Sequence, residues 1–315
     1  MNLKKTVAIA TAVGALAAVS VPAFALENEF HGMYRLRGMM SNFENQNAGV
    51  VLAKDAPTAT VFEQRARLQY IAKTSDDLKL VTHFEIDSSW GDTAYNNGRG
   101  LGGGMAADTV NLETKSVYLD FNCPLTGSNV KVGIQPISDA YKGVFVTDDM
   151  GGLIAAKKFN ALTLSGGFFR LQDYNRSSNP TAASATTLTS ANYTNPESAM
   201  PIGRQNLDFY LLDGKFAVSK DMTVGGSYYL ISKDNLYNAQ NIHMFGVSGA
   251  AKFGTITTDA FLAYQTGDSL DSTAALKKDL SGFAAQFAIK ADLGAAGTVR
   301  GNALYTSGDD KGKAN

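Results

Sequence analysis

The chain has 315 residues, a formal net charge of −1, 44% hydrophobic residues and a mean hydropathy of −0.10. Balanced charge without a Lys/Arg run gives no footprint for nucleic acid. A hydropathy near zero excludes a polytopic helical membrane protein, but not a β-barrel, whose strands average apolar and polar positions to nearly nothing.

The N-terminus opens with the basic "MNLKK", continues through the apolar "TVAIATAVGALAAVSV" and reaches Ala23-Phe24-Ala25, an A-x-A cleavage site. This is the pattern of a secretory signal peptide over residues 1–25, with the mature chain starting at Leu26. Export without a later long apolar run leaves the periplasm, the outer membrane or the exterior.

From residue 26 onward the sequence alternates with period two. Alternating stretches run near 29–43, 62–73, 78–90, 111–122, 129–137, 152–159, 161–173, 205–218, 222–233, 242–253, 256–265, 280–292 and 298–307. Each is long enough to cross a bilayer as a tilted strand, which takes roughly 9–11 residues. The stretch "GLIAAKKF" alternates poorly. No amphipathic helix pattern of useful length occurs.

The links alternate in length. Those after even-numbered stretches are short: "TSDD", "CPLTGS", "NA", "SKD", "GT" and "LGAAG". Those after odd-numbered stretches are mostly long: Glu44 to Val61, Gly91 to Val110, Ile137 to Gly151, Tyr174 to Arg204 and Thr266 to Lys278. A soluble sandwich has no reason to sort its turns this way. An outer-membrane barrel has short periplasmic turns and long outer loops. Trp90, Tyr264 and Tyr305 are then expected at outer strand ends, and Phe121, Phe216 and Phe253 at periplasmic ends, as two aromatic girdles.

The two parities assign faces. Phe30, Tyr34, Leu36 and Met40 are expected outward, with His31, Met33, Arg35 and Arg37 inward. On the ninth stretch Met222, Val224, Tyr228 and Leu230 go outward, and Thr223, Gly225, Ser227 and Tyr229 inward. On the eleventh, Leu262 and Tyr264 go outward and Asp259 and Gln265 inward. So many apolar faces without helices to cover them are most simply covered by lipid.

The signal peptide, the sorting of turns and the segments "FEQRARLQYIAKTSDDLKLVTHFEID", "LETKSVYLDFN" and "VKVGIQPISDAYKGVFVTDDMGGL" resemble Gram-negative outer-membrane porins. They look closest to porin-like proteins of metal-reducing bacteria. The resemblance implies an all-β, transmembrane antiparallel up-and-down β-barrel over residues 26–315. It also implies a water-filled lumen and one loop folded inward to narrow it. About thirteen strands are visible, and closure usually takes an even count. The ending "DDKGKAN" lacks the terminal aromatic strand of complete porins. The chain is therefore expected to be truncated at the C-terminus, with about 14–18 strands when complete.

Arg35, Arg37, Arg65 and Arg67 are expected to line one wall of the lumen. Glu63, Glu85 and Asp87 stand on neighbouring strands as matching carboxylates. The inward loop, by resemblance, is the segment "PISDAYKGVFVTDD", with Asp139, Asp148 and Asp149 facing the arginines. Such an arrangement would set a transverse field across a constriction and sort solutes by charge. The competing reading is that the arginines simply pair with neighbours on a wet wall.

Other patterns point nowhere specific. "GRGLGGGMAAD" at 98–108 has no βαβ context for a nucleotide. His31, His83 and His243 lie on separate stretches without ligand spacing, so no metal is expected. "NRS" at 175 and "NYT" at 192 match a glycosylation sequon by chance in an exported bacterial chain. The single cysteine, Cys123, excludes an intrachain disulfide, and the absence of Cys-x-x-Cys-His excludes covalent haem. No cofactor and no catalytic motif are expected.

The expected function is passive diffusion of small hydrophilic solutes or ions across the outer membrane, with lipid as the surrounding partner. The alternative is a barrel scaffold sheathing a partner such as a multihaem cytochrome in an electron conduit. A homotrimer and a monomer both fit the pattern.

Overall fold

A computed structural model describes residues 27–41, 43–46, 49–52, 58–92, 102–105, 112–173, 206–234, 240–271 and 276–308. The signal segment, both sequons, most of the 98–108 glycine run and the ending 309–315 lie outside the described residues.

Thirteen strands form one antiparallel sheet in which each strand lies beside its sequence neighbours. They are β1 (Glu27–Ser41), β4 (Ala59–Ser75), β5 (Leu78–Ser89), β6 (Glu113–Cys123), β7 (Ser128–Ser138), β8 (Thr147–Phe159) and β9 (Leu162–Asp173). The sheet continues through β10 (Asn206–Ser219), β11 (Met222–Asp234), β12 (Gln240–Phe253), β13 (Ile256–Asp271), β14 (Leu276–Asp292) and β15 (Thr298–Thr306). A separate hairpin, β2 (Phe43–Gln46) and β3 (Gly49–Leu52), stands in the link between β1 and β4, where sequence suggested only a loop. The architecture is all-β and up-and-down, the wall of a β-barrel. Among the described residues the only helix is a single 3-10 turn, Gly294–Ala296.

Order along the sheet follows from the short links. Asn160, with φ +52, and Gly254, with φ +60, supply the left-handed backbone that two-residue hairpin turns require. Several strands outrun a bilayer crossing. β13 continues past Tyr264 to Asp271 and β14 begins at Leu276, so the expected link from Thr266 to Lys278 is largely strand. Tyr264 thus lies mid-strand, not at an outer end. β8 begins at Thr147, because Thr147 to Met150 pair with Ser138 to Gln135.

The sheet is strongly curved. Tyr141, in the turn between β7 and β8, packs on Phe261 of β13 at 5.2 Å between ring centroids. Six strand spacings separate β7 from β13, about 29 Å on a flat sheet at ~4.8 Å each. An out-and-back loop over residues 139–146 reaches only ~13 Å at ~3.3 Å per residue. The wall must therefore bend around the loop.

The two faces differ as the alternation predicts. Leu36 (51% exposed), Leu212 (56%), Val247 (60%), Leu262 (54%) and Phe287 (52%) form part of a convex apolar surface. Their strand neighbours of opposite parity point to the concave face, where Tyr229 and Phe169 are fully buried. Soluble monomers rarely expose contiguous apolar patches beyond a few hundred Å².

Candidate functional site

The concave face carries a charged wall at one end of the sheet. It arises from register. Arg37 stands opposite Glu63 and Arg35 opposite Arg65 across β1 and β4. Arg65 stands opposite Asp87 and Arg67 opposite Glu85 across β4 and β5. The Arg65 guanidinium donates through Nε and Nη2 to the two Asp87 oxygens, both at 2.6 Å, a forked pair. Its Nη2 also lies 3.3 Å from Glu85 Oε1. Arg67 pairs with Glu85, and Arg37 with Glu63. The Glu85 side chain is 2% exposed, so its charge depends on these guanidiniums: removing one partner of a buried pair costs far more than the pair contributes net.

Arg35 differs. It makes no hydrogen bond or ion pair with any described residue. It lines a cavity of about 210 Å³ with Arg37, Glu63, Gln64, Arg65, Asp87, Ser88 and Ser89.

The second feature is the loop between β7 and β8. Its fold centres on Asp139, whose carboxylate accepts four backbone N–H bonds. Oδ1 takes those of Tyr141 and Gly143, both at 2.8 Å. Oδ2 takes those of Phe145 at 2.7 Å and Val146 at 2.6 Å. Lys142 and Gly143 adopt positive φ of 63° and 78°, which turns the chain back on itself. The loop docks inward on an aromatic floor. Phe145 stacks on Tyr229 at 5.9 Å, and Tyr141 meets Tyr229 edge-on at 5.7 Å. The Tyr229 hydroxyl accepts from Ala140 N at 2.9 Å and donates to Asp213 Oδ1 at 2.7 Å. Lys142 Nζ pairs with Asp259 at 2.7 Å. Tyr141 fits because residue 246 is glycine: a Cβ there would stand 2.4 Å from the Tyr141 hydroxyl. Burial holds the Tyr141 phenol above its ordinary pKa.

The structure thus brings together Arg37, Glu63, Arg65, Arg67, Glu85 and Asp87, and leaves Arg35 beside them. It places the loop inward but not its acids on the arginines. The Asp139 charge is used within its own turn, because four clustered N–H groups need an acceptor. Asp149 pairs with Lys115 of β6. Asp148 accepts from Asp149 N at 2.8 Å. Carboxylates reach the arginine wall from adjacent strands.

Sequence reasoning did not single out Tyr141, Tyr229, Phe169, Phe209 or Lys142 as site residues. A signal was present. Phe169, Phe209 and Phe261 fall on the parity meant for water, and apolar residues on a wet face imply that something covers them. Beside the loop tip, Val144, Phe145, Met244, Ala263, Gln265 and Ala284 line part of a second cavity of about 320 Å³.

No family model matches the sequence, and no curated protein sequence matches it. The chain is similar to several solved outer-membrane structures at low identity. A form of the Vibrio cholerae outer-membrane protein OmpT lacking loop L8 is 15% identical, with 92% of this chain and 96% of that one covered, at a TM-score of 0.45. A porin is 14% identical over 91% of this chain and 96% of its own, at 0.42. OccK11 of Pseudomonas aeruginosa is 14% identical over 90% and 66%, at 0.40. The functional reading rests on this chain's own residues.

Proposed function

We propose that the protein is a passive diffusion channel of the outer membrane, admitting small hydrophilic solutes or ions. The observation that carries this reading is the contrast between the two faces of one curved sheet. The convex face exposes Leu36, Leu212, Val247, Leu262 and Phe287. The concave face holds a guanidinium–carboxylate wall and a docked loop. Apolar residues outside and charges inside invert the order of a soluble protein. Lipid around the sheet and water within it satisfy both faces. The loop narrows the water path, and the charged wall weights which solutes pass.

The test is conductance. Purified full-length chain added to a planar bilayer should give stepwise openings with linear current–voltage behaviour. Absence of steps would overturn the reading. Absence of steps together with co-purifying haem absorbance would favour a scaffold around a cytochrome instead.

A further inference from the structure

We propose that Arg35, Arg37 and Arg65 form a binding site for a small oxyanion bearing a carboxylate or phosphate group, with Arg35 as its principal donor. The inference rests on the channel reading and adds a resident ligand to it.

Register sets up the site. Arg35 and Arg65 face each other directly across β1 and β4. Like charges opposite one another on a sheet face repel. The repulsion around Arg65 is offset by Asp87, and Glu63 offsets Arg37. Nothing described offsets Arg35. The cavity therefore holds three guanidiniums against two carboxylates. One row deeper the charges pair again, Arg67 with Glu85 and Lys115 with Asp149, while Glu113 stands opposite Glu85. The positive excess is local to the β1 end of the wall.

Geometry selects the ligand class. Guanidinium offers a planar fork that matches carboxylate and phosphate oxygens and stays charged at any working pH. Among the described residues nothing occupies the Arg35 fork. Ser88 and Ser89 line the same cavity, and Ser89, on the parity of Asp87 and opposite Glu63, can offer a hydroxyl. A volume of about 210 Å³ equals the share of about seven waters at ~30 Å³ each. That accommodates an ion the size of phosphate or succinate, and falls below the usual ~300 Å³ floor for larger ligands. The site opens to water, so binding is expected on the order of millimolar. A site of that strength slows an anion without trapping it.

The experiment uses the full chain in planar bilayers with chloride as the charge carrier. Succinate and inorganic phosphate are added separately, which distinguishes a carboxylate from a phosphate ligand. Each is expected to reduce the chloride current in a saturable manner. Arg35→Gln should weaken half-block about tenfold, the loss of one charge-assisted interaction. Arg35 has no partner among the described residues, so this variant should assemble normally. Arg300→Gln removes another exposed guanidinium, from β15 opposite Lys290, and should leave half-block unchanged. Equal loss in both variants would mean that diffuse lumen charge is responsible, and would overturn the proposal. So would non-saturable or absent block in a chain that conducts. A chain that does not conduct would instead overturn the channel reading itself.

Discussion

Replacing Asp139 by Ala should undock the inward loop. The carboxylate accepts four backbone N–H bonds, at 2.6 to 2.8 Å. At ~1.5 kcal/mol each, the low end for bonds to a charged group, these contribute about 6 kcal/mol to the docked form. Burial of the Tyr141 ring adds roughly 4–6 kcal/mol, from ~150–250 Å² at ~25 cal/mol per Å². Ordering residues 139–146 costs roughly 8 kcal/mol at ~1 kcal/mol per residue. With Asp139 the balance favours docking by a few kcal/mol; without it the balance reverses. Single-channel recording should show higher mean conductance and greater open-channel noise in Asp139→Ala, as the loop leaves the lumen intermittently. Strand pairing is untouched, so heat-modified gel mobility should match the wild type. Wild-type conductance and noise in a correctly folded Asp139→Ala barrel would refute the assigned role of Asp139.

Other outcomes follow from the same contacts. Gly246→Ala places a Cβ 2.4 Å from the Tyr141 hydroxyl and 2.8 Å from Leu262 O, and should raise channel noise in the manner of Asp139→Ala. The double variant should add little to either single, since both release one loop. Tyr229→Phe keeps the ring but leaves Ala140 N and Asp213 without their shared hydroxyl. The expected cost is about 1–3 kcal/mol of loop anchoring, seen as noise intermediate between wild type and Asp139→Ala. Leu212→Arg on the convex face, between Gly166 and Tyr228 in register, should destabilise the barrel by about 2–4 kcal/mol in urea titrations of folding into vesicles. No change there would argue against a lipid-facing surface. Substituting Ser for Arg35, Arg37, Arg65 and Arg67 together removes four positive charges and the guanidinium partners of Glu63, Glu85 and Asp87. The reversal potential in a salt gradient should move toward cation preference, and an unchanged potential would mean that this wall does not weight the current.

The strand pattern was legible along the chain because each strand is written locally, in the alternation of its own side chains. Leu262 and Tyr264 against Asp259 and Gln265 already separate the convex face from the concave one. The short turns are equally local, so neighbour-to-neighbour pairing followed. Counting back from a turn at Thr74 to Asp77 would set Arg65 against Ile86; a register shift between Lys73 and Ser75 brings Arg65 to Asp87 and Arg67 to Glu85 instead. The solitary state of Arg35 is not local. It depends on the separate register of β1 against β4, set across a long link, which places Arg35 against another arginine. The destination of the loop is less local still. Asp139 looked like a charge for the lumen, but clustered amides in its own turn claim both oxygens. The wall that Tyr141 and Phe145 cover belongs to strands roughly a hundred residues away. Alternation thus determined which way each side chain points, because that is a property of one strand. Curvature decided which side chains meet, because bending the sheet brings the loop after β7 against β13, Tyr141 on Phe261.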